Sequence, residues 1–319
     1  MHIFLAGAGG AVGRSLIPLL TDHGHTVTGT TRSPEKAAAL RGLGAEPVVL
    51  DGLDRSAVLE AVAAARPDAI VHQMTALGGD LDLRKFERTF AATNRLRTEG
   101  TDILLAAARD AGVERVVAQS FAAWPSARVG GPVKTEDDPL DQEPPKQVRT
   151  TLESILRLES AVTGAGGIAL RYGGFYGPGT SFAPGGEQWE MLMQRKFPIV
   201  GDGGGVWSFV HIDDVAGGTL AALERGTPGR IYNITDDDPA PVREWMPFVA
   251  KAIGAPPPRH VPRWVGRLMG EHLVVMMCEV RGASNERAKR ELGWQPKWPS
   301  WREGIPALAS RREVAAGVR

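Results

Sequence analysis

A glycine-rich segment close to the N-terminus has the residue types and spacing to hold a phosphate group. It runs from Gly7 to Gly13 as GAGGAVG, after a predicted strand at Ile3–Ala6 and at the start of a predicted helix at Val12–Leu20. A helix N-terminus attracts anions, and residues without a side chain let the backbone come close to a diphosphate. A purely structural turn is the alternative, but the position between strand and helix favours a dinucleotide. The predicted contacts are Gly7, Gly9, Gly10, Ala11, Val12 and Gly13.

The end of the second predicted strand indicates which dinucleotide would bind. Folds that prefer NAD place an acid there, whereas this chain has Thr31 followed by Arg32. A guanidinium can pair with a 2′-phosphate through two hydrogen bonds, while a carboxylate would repel it. We therefore predict NADP(H), with Lys36 as an assisting cation; an ordinary solvated arginine is the alternative. Asp51, at the end of the third strand, either caps the next loop or accepts from the adenine amine.

The composition excludes several classes of protein. The 319 residues are 43% hydrophobic and 23% charged, and 37 Lys and Arg balance 37 Asp and Glu. Such a chain has no net field toward nucleic acid or an anionic membrane. It also lacks a run of about 20 apolar residues and the charged start of a signal peptide. Its one cysteine, Cys278, has no internal partner. We therefore expect a cytoplasmic protein without nucleic-acid or membrane partners.

Short apolar runs alternate with helical stretches along the first half of the chain. The predicted strands are residues 3–6, 26–30, 47–50, 69–72, 115–119 and 168–172. Parallel strands need crossovers of about a dozen residues, which the helical stretches supply. The pattern predicts an α/β fold with a doubly wound parallel sheet, Rossmann-like, and a smaller C-terminal substrate-binding cap. We assign residues 1–173 and the returning segment 206–235 to the dinucleotide-binding domain, and residues 174–205 and 236–319 to the cap.

Further motifs follow in order along the chain. They are Asn94, Gln119-Ser120, RYGGFYGPG at Arg171–Gly179, Gly201–Gly203, Phe209–Ala216 and Glu291–Trp294. Together with the glycine-rich segment they resemble the extended short-chain dehydrogenase/reductases, the NAD(P)-dependent epimerase/dehydratase family, nearly end to end. The resemblance implies an NAD(P)-binding Rossmann-like domain. We predict further cofactor contacts at Gly52, Met74, Thr75, Asn94, Tyr172, Gly173 and Phe175.

The proton-transfer residues that the resemblance implies are incomplete. That family uses a Ser or Thr after the fifth strand and a Tyr-x-x-x-Lys pair in the next helix, while the nicotinamide exchanges hydride. Ser120 matches the serine and is the predicted catalytic residue. Counting back from Glu159, Thr151 falls at the tyrosine and Ile155 at the lysine, and no Tyr-x-x-x-Lys occurs in the chain. We expect no proton chemistry from Thr151 and Ile155, and take Tyr176 as a reserve donor.

Two departures from the family pattern bear on the substrate. Gly174 stands where many sugar-nucleotide members have asparagine, and Trp207 stands near their diphosphate-binding arginine, so a UDP-sugar would lose its anchors. The cap instead carries large apolar side chains, most of which we expect in its core: Phe182, Trp189, Met191, Met193, Trp207, Trp264, Met269, Met276 and Met277. The surplus of Met and Trp is consistent with an adaptable apolar pocket. We predict a small apolar carbonyl or enone substrate.

Three functions remain open from the sequence. The first is an NADP(H)-dependent oxidoreductase whose proton comes from Ser120, a substrate group, water or a tyrosine outside the usual pair. The second is a non-redox isomerase, dehydratase or cyclase that uses the cofactor cleft to orient its substrate. The third is a non-catalytic NADP(H)-sensing protein. We predict no metal site, because the acids in His211–Asp214 precede a helix and are expected to cap it.

Two predicted helices, Thr93–Ala111 and Thr150–Val162, carry apolar residues on more than one face. One face must cover the sheet, and the surplus would lie in water in a monomer. Extended members of the family that the chain resembles often pair these two helices with their copies about a two-fold axis. We therefore predict a homodimer.

Overall fold

The computed structural model describes residues 1–77, 86–122 and 125–317 of the chain. Numbered along the chain, the strands are β1 His2–Ala6, β2 Thr26–Thr31, β3 Ala45–Val49, β4 Ala69–His72, β5 Arg115–Phe121, β6 Val133–Lys134, β7 Ile168–Tyr172, β8 Gly174–Tyr176, β9 Ile199–Val200, β10 Val206–Trp207, β11 Phe209–His211, β12 Ile231–Ile234, β13 Ala240–Pro241, β14 His260–Val261 and β15 Gly282–Ala283. Seven of them form one parallel sheet in the order β12-β7-β5-β4-β1-β2-β3.

Helices connect these strands. They are α1 Ala11–Asp22, α2 Pro34–Gly42, α3 Arg55–Ala65, α4 Phe86–Arg95, α5 Thr101–Asp110, α6 Lys146–Gly164, α7 Glu187–Met193, α8 Ile212–Arg225, α9 Val242–Ala252, α10 Arg263–Met269, α11 Glu271–Cys278, α12 Glu286–Leu292 and α13 Trp301–Gly317, with a π-helical turn Leu96–Gly100 between α4 and α5. No helix in the described part of the chain is long and apolar enough to cross a membrane.

The large sheet is apolar on both sides because helices cover both faces. β1, β4 and β7 are buried along almost their whole length, which is typical of parallel sheets. The core on one face includes residues of α1, α2, α8 and α12, and the core on the other includes residues of α3, the π-helical turn and α5. α6 packs on β5 and β7 beside α4 and α5. This arrangement confirms the doubly wound α/β fold predicted from the sequence.

The strand order reverses beside β1, and this reversal fixes where a ligand can enter. β1 pairs with β2 on one side, with Leu5 opposite Gly29, and with β4 on the other, with Ala6 opposite His72. The connections leave β1 and β4 toward opposite sides, so a crevice opens at the carboxyl ends of these strands. Doubly wound sheets bind their ligands in this crevice.

A second, aromatic core lies in the C-terminal half of the chain. The ring of Trp245 contacts the rings of Phe182, Phe197, Trp207 and Phe209 at centroid distances between 5.0 and 6.2 Å. Many of the large cap residues pack in or against this core, as expected from the sequence. Trp264 differs, because it is 64% exposed.

The segment 206–235, predicted to return to the dinucleotide-binding domain, begins with a strand that is interrupted. Residues 206–211 form β10, which pairs with β13, and β11, which pairs with β8, with Ser208 between them. The Ser208 hydroxyl accepts the Ala283 N–H at 2.8 Å, which holds the break. Only β12 rejoins the large sheet, and α8 packs against α1. The chain therefore returns to the large sheet at α8 rather than at residue 206, and the domain boundaries stay a prediction.

The apolar residues on which the dimer prediction rests are mostly enclosed within one chain. α4, α5 and α6 pack against one another as well as against the sheet, which covers more than one face of each. Leu105 and Leu156 remain half-buried. The homodimer stays a prediction, to be measured by light scattering behind size exclusion. The buried members of the set are Leu96, Ile103, Leu104, Leu152, Ile155 and Leu158.

Candidate active site

The turn after β1 is shaped so that glycine is needed at its first position and at the helix that follows. Gly7 has a φ of +88°, and a Cβ there would lie 2.7 Å from the backbone of Gln73. A Cβ at Gly13 would lie 2.2 Å from the carbonyl oxygen of Ala8, so glycine lets α1 pack on the turn. Gly10, the N-cap of α1, gives no side-chain cap. The first N–H groups of α1 are therefore available to an anion.

The rest of the turn faces the end of β2. A Cβ at Gly9 would lie 3.3 Å from the Thr31 hydroxyl and 3.4 Å from Cδ of Lys36, so the backbone lies close to both. Val12 is buried in the core, and Ala11 is half-buried against the same core. Any contact of these two residues with a cofactor is therefore made through the backbone.

The end of β2 presents positive charge to solvent. Arg32 is exposed, and its guanidinium has no partner among the described residues. Thr31 is buried, and its hydroxyl accepts the Ser33 N–H at 3.2 Å, which turns the chain at the strand end. Glu35, in the first turn of α2, accepts from the Ser33 hydroxyl, and this bond lowers the pKa of its carboxyl group. Glu35 is thus bonded to Ser33, and Arg32 remains available.

The ends of β3 and β4 form the neighbouring wall of the crevice. Asp51 accepts the Leu53 N–H at 3.0 Å, which is the loop-capping role of the two that the sequence left open. A Cβ at Gly52 would lie 2.2 Å from Sδ of Met74, so the two residues pack closely. The Met74 side chain is buried, and Thr75 is half-buried.

Three predicted contacts lie at and after the end of β7. Tyr172 is fully buried, and its hydroxyl accepts from Nε2 of Gln73 at 3.0 Å and lies 2.8 Å from the hydroxyl of Thr219. Burial raises the pKa of Tyr172 to about 12. Phe175 packs on the Tyr172 ring at a centroid distance of 5.7 Å, and a Cβ at Gly173 would collide with the backbone before β11. The Tyr172 hydroxyl is therefore a structural group rather than an acid.

Asn94 and Thr151 contact each other at the junction of α4 and α6. The Asn94 amide donates to the Thr151 hydroxyl at 3.0 Å, and its Oδ1 accepts from the Ser154 hydroxyl at 3.0 Å. All three residues are buried. The Asn94 side chain thus holds two helices together, which its prediction as a cofactor contact did not include. Thr151 stands at the position of the missing tyrosine.

Ser120 lies against a buried ion pair. Its hydroxyl donates to Oε1 of Glu159 at 2.5 Å, and both residues are almost fully buried. Arg171 donates from Nε and Nη2 to the two oxygens of Glu159 at 2.8 and 2.7 Å. The predicted catalytic serine therefore donates its hydrogen bond to a carboxylate of the same chain. The sequence located Glu159 but not this contact, because the two residues are 39 positions apart.

Tyr176, the reserve donor, lies in the aromatic core of the cap. It has no exposed surface, and its hydroxyl has no partner among the described residues. A Cβ at Gly304 would lie 2.5 Å from this hydroxyl, and the ring meets His211 edge-on at 5.2 Å. Burial raises the pKa of Tyr176 far above its ordinary range. The structure thus places this ring against α13, away from Ser120 and Thr151 in the contacts described.

The residues before α8 cap it in a different way from the one predicted. Nδ1 of His211 accepts the Asp213 N–H at 3.2 Å, so the histidine is the N-cap. Asp214 instead accepts the N–H groups of Lys297 and Trp298 at 2.7 and 2.9 Å, which ties the C-terminal segment to α8. Within the ranges that the structure describes, no group of three or more His, Cys, Asp and Glu could hold a metal ion.

Sequence reasoning missed a buried charge in the π-helical turn. Arg97 is 6% exposed, and none of its side-chain nitrogens has a partner in the described part of the chain. Burial lowers the pKa of its guanidinium to about 10. Nearby, Nε2 of His72, at the end of β4, lies 3.1 Å from the Thr101 hydroxyl. An arginine in a helix carries no sign of its missing partner in the sequence, which is why this group was not found.

A cavity lies between α6 and α11. It is small, about 30 Å³, and its lining combines apolar side chains of α6 and α11 with the Arg128–Asp141 ion pair. His272 also lines it, is 4% exposed, and has no hydrogen-bond partner on either ring nitrogen among the described residues. Leu152, another lining residue, directly follows Thr151, the position of the missing tyrosine.

The residues at the carboxyl ends of β1 and β2 fit a dinucleotide. The helix N-terminus is uncapped, the glycines leave the backbone open, and two cations border the turn. The NAD dependent epimerase/dehydratase family matches residues 3–235. The chain belongs to this family, whose description supports a nicotinamide dinucleotide as cofactor.

Two curated relatives of the chain are named as reductases. The chain is 42% identical over 309 residues to a 3-diazoavenalumate denitrifying reductase of a Streptomyces species, covering 96% of this chain and 99% of the relative. It is 29% identical over 259 residues to a 4-hydroxy-2-methyl-3-oxo-4-farnesyl-3,4-dihydroquinoline-1-oxide ketoreductase of Stigmatella aurantiaca, covering 80% and 74%. These names support an oxidoreductase over the non-redox and sensor alternatives.

A solved structure supports the fold. The UDP-glucose 4-epimerase of Thermus thermophilus, solved in complex with NAD, superimposes with a TM-score of 0.73 at 23% identity, covering 99% of this chain and 100% of the epimerase. At this identity the likeness establishes the architecture alone.

Proposed function

We propose that this protein is an NADP(H)-dependent oxidoreductase that transfers hydride between the nicotinamide and a small apolar carbonyl or enone compound. The observation that carries the cofactor choice is Arg32, an exposed and unpartnered guanidinium beside the glycine turn, where NAD-preferring folds have an acid. The uncapped start of α1 would hold the diphosphate, and Arg32 with Lys36 would hold the 2′-phosphate.

The substrate class is supported by the side chains around the cavity and by a relative. The cavity itself, about 30 Å³, has room for about one water molecule, but apolar side chains of α6 and α11 border it together with buried His272, whose ring nitrogens have no partner among the described residues. The name of the ketoreductase relative describes a substrate with a 3-oxo group and a farnesyl chain. A compound with a large apolar part and a reducible carbonyl group is consistent with both observations.

The bound cofactor supplies the hydride, and reduction of a carbonyl also requires a proton on oxygen. Ser120 is the proposed hydrogen-bond donor to that oxygen. To act so, its hydroxyl must turn from Glu159 to the substrate, while Arg171 holds Glu159 in place. Ser120 then gives its proton to the carbonyl oxygen as hydride reaches the carbonyl carbon, and water returns a proton to Ser120. This arrangement uses neither Thr151 nor Ile155.

A second candidate substrate class is an aromatic diazo compound. It is favoured by the 42% identical relative, whose name states that it removes nitrogen from a diazo compound, and by the absence of a Tyr-x-x-x-Lys pair. An aryl diazonium cation accepts hydride at its terminal nitrogen. The resulting aryl diazene then loses N₂ and leaves a new carbon–hydrogen bond. No oxygen has to be protonated in the hydride step, so this reaction would not need the Tyr-x-x-x-Lys pair.

A substrate screen tests the proposal. The purified protein and NADPH are mixed with apolar ketones, enones and aryl diazonium salts, and loss of the 340 nm absorbance is compared with enzyme-free blanks. We expect saturable turnover in one class. We also expect kcat/KM with NADH to be at least about tenfold lower than with NADPH. Nitrogen release identifies the diazo reaction. Absence of turnover in all three classes, or equal use of NADH, contradicts the proposal.

A further inference from the structure

Arg97 is a buried cation that has no counterion among the described residues. It is 94% enclosed by protein, with Nη1 fully buried, and its side chain makes no hydrogen bond or ion pair with the described residues. Within the described part of the chain, burial is the only influence on the pKa of its guanidinium, so none of the described acids lies close enough to offset the charge. Enclosing an unpaired charge is among the least favourable arrangements in a protein. A bound anion would remove this cost.

The neighbours of Arg97 place it beneath the crevice. It lies one turn after Asn94, which bonds α6 through Thr151 and Ser154, and one turn before Thr101, whose hydroxyl meets His72 at the end of β4. Helical side chains lean toward the N-terminus of their helix. The charge of Arg97 also acts on His72, lowering the pKa of that histidine, so Arg97 lies near the carboxyl edge of the sheet, where ligands of this fold bind.

The phosphates of the cofactor have other partners. α1 and α2, which carry the glycine turn and Lys36, cover one face of the sheet, while Leu96 of the π-helical turn packs in the core of the opposite face. Arg97 thus lies across the sheet from Arg32 and the start of α1. A second anion, not part of the dinucleotide phosphates, is the ligand that this position suits. π-helical turns are often found at such functional positions.

We propose that Arg97 binds the carboxylate of the substrate, so that the protein acts on apolar acids in preference to their neutral analogues. This inference rests on the proposed oxidoreductase function and specifies its substrate class. A guanidinium and a carboxylate can form two parallel hydrogen bonds, and in an enclosed site each charge compensates the other. A phosphate of the cofactor is the other anion that Arg97 could bind. The experiment below distinguishes the substrate carboxylate from this phosphate.

Calorimetry with paired probes measures the binding. Benzoate, trans-cinnamate and decanoate are titrated into the NADP⁺-saturated protein beside their methyl esters. We expect at least one acid to bind about tenfold or more tightly than its ester, and Arg97→Met to abolish that difference while the affinity for NADP⁺ is unchanged. Arg97→Lys keeps the charge but not the planar fork, and is expected to retain part of the preference.

The matched control is Arg95→Met. Arg95 lies on the same helix but is exposed and paired with Glu99 at 2.7 Å, so its removal is expected to leave acid binding unchanged. If Arg97→Met weakens NADP⁺ instead, the anion belongs to the cofactor and the proposal is wrong. It is equally wrong if the wild type binds no acid better than its ester. Failure of hydride transfer with intact acid binding overturns the proposed function alone.

The urea midpoint of unfolding gives a second test, because an arginine that only supports the fold would change it in the opposite direction. Without ligand, Arg97→Met is expected to unfold at a higher urea concentration than the wild type, because an unpaired buried charge has been removed. The acid that binds the wild type should no longer raise this midpoint. A lower midpoint for both Arg97→Met and Arg97→Lys, with the acid preference intact, would assign Arg97 to the fold and overturn the proposal.

Discussion

Two arginines are buried near the same end of the sheet, and they are held in opposite ways. Arg171 is 3% exposed and donates to both oxygens of Glu159, which also accepts from Ser120. Arg97 is 6% exposed and has no partner among the described residues. The burial is nearly equal, so the difference lies in the partner. We infer that paired Arg171 stabilises the fold and that Arg97, unpaired among the described residues, is kept to bind a ligand.

The comparison also separates two regions of the site. Around Ser120 the polar groups are fully satisfied, which fixes their geometry before any ligand arrives. Around Arg97 and in the cavity at His272, polar groups are enclosed and have no partner in the part of the chain that the structure describes. We infer that the first region is preorganised for chemistry and that the second acquires its partners from the substrate. Each of the following predictions can contradict or refine that division.

The largest effect is expected from breaking the Arg171 pair. Glu159→Gln keeps the size of the side chain but leaves the Arg171 charge buried without compensation, so the free energy of unfolding should fall by about 3–5 kcal/mol. Urea unfolding monitored by circular dichroism measures it. Glu153→Gln, at an exposed position of the same helix, is the control. A loss of less than about 1 kcal/mol would mean that the pair does not serve the fold as described.

Ser120→Ala is expected to act on catalysis. If the hydroxyl bonds the substrate in the transition state, kcat/KM should fall about 10²-fold or more, equivalent to about 2.7 kcal/mol. Steady-state kinetics with the best substrate from the screen decides the matter. Ser208→Ala removes an equally buried hydroxyl in the break between β10 and β11, and should change kcat/KM little. A change under threefold at Ser120 would assign the serine to the Glu159 network alone.

Arg32→Ala should weaken NADP(H) binding at least tenfold. One charged bidentate pair supplies roughly 1.5–3 kcal/mol, and NAD(H), which lacks the 2′-phosphate, should bind as before. Titration calorimetry with both cofactors measures the two affinities. Arg41→Ala, at the other end of α2, is the matched control because Arg41 is also exposed. Equal losses for both cofactors would show that Arg32 does not read the phosphate.

The parts of the site that the sequence predicted are those set by local spacing. The turn from Gly7 to Gly13 could be placed because the strand before it, the glycines and the helix after it are contiguous. The gap at Thr151 and Ile155 could be placed by counting from Glu159. The interrupted strand at Ser208 could not, because Ala283, which holds the break, is 75 positions away.

The partners of buried polar groups were beyond the sequence for the same reason. The contact of Ser120 with Glu159 depends on how α6 packs on β5, and no pattern along the chain records it. Arg97 is a still harder case, because it stands out only by lacking a hydrogen-bond partner among the described residues, and a sequence does not show which partners are missing. His272 is similar: a histidine in an apolar run gives no sign that both ring nitrogens lack a hydrogen bond.

The smallest expected effect tests whether the charge of Arg97 reaches its neighbours. Burial lowers the pKa of His72 from its ordinary 6.5 to about 4, and the charge of Arg97 adds to the lowering. The folded protein therefore resists protonation at His72 while the unfolded chain accepts it. The resulting stability is fully present above pH 6.5 and is lost as the pH falls toward 4, by about 3 kcal/mol in total.

Arg97→Met should raise the pKa of His72 and so reduce this acid-dependent loss, by less than about 1 kcal/mol. The measurement is the difference in unfolding free energy between pH 7 and pH 4.5 within each protein. Buried Asp236, whose pKa is raised by burial, changes stability in the opposite direction with pH, but it contributes equally to both proteins and cancels in the comparison. His72→Asn should remove this acid-dependent loss of stability both in the wild type and in Arg97→Met. If Arg97→Met has the same or a larger acid-dependent loss, the guanidinium does not act on the end of β4, and the contrast between the two arginines must rest on burial and partners alone.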